Sequence, residues 1–124
     1  LDQALKELTT EFEARSGVVT VVDVDGEAAP ALASRAGEVV QFAREALSNV
    51  SRHAEATTCR VSLRRGAEGI VLEIDDDGRG FDVGTTTPGM GLRNLRERAE
   101  SIGGKLEIES TAGEGTTVRA TLPS

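Results

Sequence analysis

Apolar residues recur along this chain with two different periods, and the switches between them mark the elements. In LDQALKELTTEFEAR the positions Leu1, Leu5, Leu8 and Phe12 fall on one side of a helix, and the spacing stops at Ser16-Gly17. The β-branched run VVTVVDV ends at the turn signal Asp25-Gly26 and reads as a strand. After Pro30 a helical pattern covers about Ala31 to Ala54. Alternation then takes over in two strands, about Thr57–Arg65 and Gly69–Asp76, joined as a hairpin at Arg65-Gly66. A loop rich in glycine and threonine follows from Phe81 to Pro88. The next helix runs from about Met90 to Ile102, with Leu92, Leu95, Ala99 and Ile102 inward and Gly103-Gly104 as its stop. KLEIES and TTVRATLP are the last two strands, with GEG between them.

The order α-β-α-β-β-α-β-β predicts an α+β fold. Its form is a two-layer α/β sandwich, a mostly antiparallel mixed sheet of about five strands with three helices on one face. No repeat, low-complexity tract or linker divides it, so residues 1–124 read as a single domain.

The stretch IVLEIDDDGRGF ends a strand in three consecutive carboxylates. Side chains alternate faces along a strand. Ile70, Leu72, Ile74 and Asp76 therefore share the aliphatic face, while Val71, Glu73, Asp75 and Asp77 share the other, toward water or the loop. Asp76 alone is aimed at the edge of the core. A buried carboxylate is costly unless donors meet it, and two readings supply them. Asp76 either accepts from an amine on a flat ligand that Gly78 and Gly80 let approach, or caps a neighbouring backbone N–H.

On the long helix, Val39, Ala43, Leu47 and Val50 form one stripe, and Glu45, Asn49, Arg52 and His53 cluster beside it. Glu45, Asn49 and His53 are a row at successive turns. The row reads either as a solvated face or as an acid, an amide and a base along the rim of the buried face. An Asn oxygen is a hard neutral ligand suited to Mg²⁺, which takes one or two protein ligands plus water and phosphate. In TTTPGMGLRNL, Gly89 and Gly91 stand at a helix start, where exposed N–H groups suit an anion, with Arg93 and Arg96 nearby. Thr116 shares its face with Val118, Ala120 and Leu122, an inward hydroxyl near the core.

Composition narrows the partners. The net charge of −7 opposes non-specific nucleic-acid binding, so an anionic ligand must be held by a cation, local arginines or backbone amides. With three Phe and neither Trp nor Tyr, the core must be aliphatic. The single Cys59 excludes an intramolecular disulfide and alternates with polar residues as a core position does. No apolar run approaches the ~20 residues of a membrane span.

Taken in order, REALSNVSRHA, DDDGRGF, GMGL and GEGTTVRATLP resemble four motifs of one superfamily: its N box, its two glycine boxes and its closing G-x-G-T strand. That superfamily is the GHKL ATPases of gyrases, chaperones, histidine kinases and mismatch-repair proteins, the Bergerat fold. The match extends over about Val18 to Pro123. R-E-A-L-x-N-x-x-R-H-A and the short lid resemble bacterial two-component sensor histidine kinases of the subfamily paired with NarL-type response regulators. The resemblance implies that Asp76 accepts from the adenine amine of ATP, with Thr116 helping through a water. It implies that Gly78 and Gly80 pass under the base. Gly89, Met90, Gly91 and Leu92 would belong to the nucleotide site, the two glycines lining the phosphates. Asn49 would bind Mg²⁺, Glu45 would polarise a water or assist transfer, and Arg52 and His53 would sit near the phosphates.

The chain departs from the complete kinase in two respects. It contains no phosphoacceptor H-E or H-D helix, so it is not expected to autophosphorylate alone. The accepting histidine is expected upstream of Leu1, on a dimerisation domain from which the helix of residues 1–16 continues; His53 is not that histidine. The lid, Phe81 to Pro88, is short and predicts nucleotide held at micromolar affinity or weaker. The expected protein is thus a monomeric, cytoplasmic catalytic domain, from a parent either soluble or membrane-anchored, with no membrane contact of its own. The alternatives are a nucleotide-binding interaction module without transfer and an anti-sigma-factor serine kinase of the same superfamily.

Overall fold

The structure, a computed structural model, describes residues 1–51, 56–78, 92–110 and 113–123. Helix α1 (Asp2–Ser16) stops at Gly17, whose left-handed φ of 77° lets its N–H reach Glu13 O. Strand β1 (Val19–Val24) follows, and a crossover then returns the chain to the sheet. The crossover comprises a four-residue helix α2 (Ala28–Ala31), a tight turn at Ala33–Arg35 and the long helix α3 (Ala36–Asn49). Strands β2 (Thr58–Gly66) and β3 (Gly69–Asp76), helix α4 (Leu92–Ser101), and strands β4 (Lys105–Ser110) and β5 (Thr116–Leu122) complete the fold.

The sheet order is β1-β2-β3-β5-β4. Only the β1–β2 pair is parallel; the other three are antiparallel. The expected α+β architecture, three principal helices with a five-stranded mixed sheet, is therefore present.

Register converts the alternation of each strand into rows across the inner face. Leu63, Leu72, Ala120 and Leu106 form one row, and Val61, Ile74, Val118 and Ile108 the next. Helix α1 adds Leu5, Leu8 and Phe12 to this core, α3 adds Val39, Phe42, Ala43, Ala46 and Leu47, and α4 adds Leu95 and Ala99. The opposite face is mainly polar, with Val19, Val21 and Val71 as its apolar members. There Arg119 bridges Glu73, Glu107 and Glu109, and Arg64 also reaches Glu73. Burial pushes the Glu73 carboxyl up, but hydrogen bonds from Arg64 and Arg119 outweigh it and hold the pKa below its ordinary value. At the free edge of β1, the Thr20 N–H donates to Glu13 Oε1 at 2.7 Å, a carboxylate laid over an otherwise open strand edge.

Two boundaries differ from expectation. The helix read from about Ala31 is interrupted at Leu32–Arg35. In an unbroken helix residues 32 and 35 would share a face, yet Leu32 is wholly buried while Arg35 reaches the main-chain oxygens of Ile102 and Pro123. The break separates these two demands. The hairpin turn lies at Ala67-Glu68 rather than Arg65-Gly66, with Gly66 and Gly69 still paired across the ladder.

Candidate functional site

Beyond the two aliphatic rows, the third row on the same face is Cys59, Asp76, Thr116 and Ser110. The core stops being aliphatic here, so Asp76 stands at its lip, half-buried. Its Oδ1 accepts the Gly78 N–H at 2.9 Å. Burial pushes its pKa up, the Gly78 and Thr116 amides pull it down, and the neighbouring Asp77 and Asp75 charges push it up again; the net shift is upward. A carboxylate has about four lone-pair directions. Two amides occupy only part of them, so acceptor capacity remains for a ligand amine. The capping reading of Asp76 is thus realised without excluding the other.

The three acids do three different things. Asp75 accepts from the Thr117 hydroxyl on the outer face. Asp77, expected to point simply to water or the loop, is exposed but clasps the start of β2. It accepts the Thr57 and Thr58 N–H groups at 2.8 and 2.9 Å and the Thr57 hydroxyl at 2.6 Å. Those bonds, the hydroxyl's first and the two amides' next, hold its carboxyl well below the usual range. Cys59 is buried, and burial together with the Asp76, Asp75 and Asp77 charges pushes its thiol up to about 12. It is a protonated core residue.

Glu45 and Asn49 lie on α3, both half-buried, whereas Gln41 and Arg44 are exposed. The acid and the amide are thus more sheltered than the outermost residues of the helix. Asn49 is the last residue of α3, its side-chain nitrogen buried, and the adjacent Val50 belongs to the same core as Ile74 and Cys59. Among the described residues no cluster of three His, Cys, Asp or Glu could hold a metal. One neutral amide oxygen nonetheless fits Mg²⁺ delivered with phosphates, since that ion keeps most of its other ligands as water and phosphate oxygen. Leu92 opens α4. Arg52, His53, Gly80, Gly89, Met90 and Gly91 lie outside the described residues, as does the lid from Phe81 to Pro88.

Ser110 escaped the sequence reading. Its signal was weak, a hydroxyl at the end of an edge strand, but the register places it opposite Thr116. Gly115, the second glycine of the G-x-G-T stretch, also shapes this end of the sheet. Its φ is 91°, and a Cβ there would stand 2.2 Å from the Asp76 carbonyl oxygen, so only glycine lets β5 start against the end of β3.

Residues 35–124 match the family model described as "Histidine kinase-, DNA gyrase B-, and HSP90-like ATPase". The chain belongs to this family. Among curated relatives, it is 36% identical over 120 residues to the sensor histidine kinase LnrJ of Bacillus subtilis, across 97% of this chain and 30% of that protein. It is 33% identical over 124 residues to the signal transduction histidine-protein kinase/phosphatase UhpB of Salmonella typhimurium, across 99% of this chain and 24% of that protein. It thus spans less than a third of either relative's length. Among solved structures, the blue-light activated histidine kinase of Erythrobacter litoralis EL346 superposes with a TM-score of 0.76 at 20% identity, covering 96% of this chain and 40% of that one. The histidine kinase AdeS of Acinetobacter baumannii gives 0.70 at 13% identity, covering 98% and 64%. These structures share the fold. The matched segment starts at residue 35; ahead of it α1 and β1 add to the core and the sheet. Among the described residues no helix is long and apolar enough to cross a membrane.

Proposed function

We propose that this domain binds Mg·ATP and donates the γ-phosphate to a histidine on a separate dimerisation and phosphoacceptor domain of the same protein. The observation that carries this reading is the placement of Asp76, a half-buried carboxylate ending an aliphatic face. In this role Asp76 accepts from the exocyclic amine of adenine, Thr116 assists from the adjoining strand, and Gly78 with Gly80 lies under the base. Gly89, Met90, Gly91, Leu92, Arg52 and His53 complete the nucleotide site, the glycines at the phosphates. Asn49 is the residue to hold Mg²⁺, which neutralises phosphate charge when bound. Glu45, one helical turn earlier, orients or polarises the attacking group. Positioning and charge neutralisation supply most of the catalysis in such transfer, and a rim of one acid and one amide on a rigid helix suits that task.

The helix α1 is the connection to the upstream domain in this proposal, and the response regulator reached through that domain is of the NarL type. The domain itself works in the cytoplasm as a monomer. Titration of Mg·ATP against the wild type and Asp76→Asn tests the site, and equal affinities would remove Asp76 from it. Mixing the domain with a phosphoacceptor domain and γ-labelled ATP tests the transfer. Nucleotide binding with persistent absence of phosphohistidine would leave an interaction module instead.

A further inference from the structure

The hydroxyl of Ser110 lies 2.8 Å from the hydroxyl of Thr116 and 3.2 Å from the Gly115 carbonyl oxygen. A hydroxyl has one proton to give and two lone pairs to offer, whereas a carbonyl only accepts. The arrangement that gives each contact a proton of its own has Ser110 donating to Gly115 and Thr116 donating to Ser110. Thr116 is then left with lone pairs alone for anything else that approaches. Ser110, Thr116 and Asp76 line one solvent-reached depression together with Gly115. Gly115 is itself pinned by its approach to the Asp76 carbonyl, which fixes the acceptor for Ser110.

We infer that Ser110 is a positioning residue that locks Thr116 as a hydrogen-bond acceptor, so that Thr116 and Asp76 together select a base edge carrying an amine over one carrying a carbonyl. The inference rests on the nucleotide reading above and deepens it. The two acceptors suit an –NH₂ group, whose protons they take, and repel a carbonyl oxygen at the same place. Without Ser110 the Thr116 hydroxyl is free to turn and donate, and a carbonyl becomes tolerable.

The test compares ATP with inosine triphosphate, which has a carbonyl in place of the adenine amine, by titration calorimetry with Mg²⁺ on the 124-residue chain. Ser110→Ala is expected to weaken ATP by about fivefold, the loss of one hydrogen bond, while inosine triphosphate holds or improves, so the preference narrows. Ser110→Thr keeps the hydroxyl and is expected to keep the preference. In a Thr116→Val background, Ser110→Ala is expected to change nothing further, because it acts through Thr116. An unchanged preference in Ser110→Ala, or additive losses in the double variant, would overturn the inference while leaving the nucleotide reading intact. A wild-type chain that binds no ATP would overturn the nucleotide reading, and this inference with it.

Discussion

Asp77 and Thr57 meet twice: one carboxylate oxygen accepts the Thr57 amide proton and the other its hydroxyl proton. The pair fastens the start of β2 to the end of β3, directly beside Asp76. The depressed pKa of Asp77 makes the clasp pH-dependent. A carboxyl with a folded value below its ordinary 3.8 contributes stability that is complete above 3.8 and is lost as pH falls through the lower folded value. Asp77→Ala is expected to melt at lower temperature than the wild type at neutral pH. The two are expected to converge as the solution is acidified below 3.8. Thermal unfolding followed by circular dichroism across that range checks both statements.

Asp76 carries the opposite sign. Its folded pKa is raised, first by burial, so the ionised group lowers stability at neutral pH, and protonation relieves that penalty as pH falls through the raised value. Asp76→Asn is therefore expected to be at least as stable as the wild type, since an amide oxygen still serves the Gly78 N–H. Its ATP affinity is expected to fall by about tenfold or more, the worth of a charge-assisted hydrogen bond. A melt and a nucleotide titration on the same sample separate the two effects.

Two glycines of the β4–β5 turn have left-handed backbones but different surroundings. A Cβ at Gly113, φ 85°, meets nothing within 4 Å, whereas one at Gly115 meets the Asp76 carbonyl at 2.2 Å. Gly113→Ala is expected to cost about 1 kcal/mol for the backbone conformation alone. Gly115→Ala is expected to cost about 3 kcal/mol or more and to weaken nucleotide binding, because the ends of β3 and β5 must part. Urea unfolding of both variants reads the difference.

The family match begins at residue 35, yet Phe12 on α1 is 1% exposed. Phe12→Ala is expected to lose about 3–5 kcal/mol, a large share of the roughly 5–15 kcal/mol that stabilises a typical domain. A chain lacking residues 1–16 is expected to expose the α1-facing core and to be cleaved rapidly by protease. Equal resistance of the two chains would show α1 to be dispensable.

With its thiol pushed up to about 12, Cys59 is protonated at any ordinary pH. Alkylating agents act on the thiolate. The native chain is expected to resist iodoacetamide and to react fully once unfolded, as mass spectrometry would record.

Much of the fold was legible because it follows from short-range period. The stripe Val39, Ala43, Leu47 and Val50, and the alternation that set Asp76 apart from Asp75 and Asp77, both survive in the structure. Period did not reveal where β1 goes. Its pairing to β2 in parallel needs a crossover whose direction is decided by packing, and the break at Leu32–Arg35 belongs to the same decision. Nor did it reveal the Asp77 clasp, whose partners lie 19 and 20 residues away.

The sequence by itself determined the element types, the inward acid and the family, because these rest on residue chemistry and spacing within single segments. Tertiary structure alone decided which residues stand in the Asp76 row. Hydrogen-bond register between strands distant in sequence sets that row, and so brings the hydroxyl of Ser110 against that of Thr116.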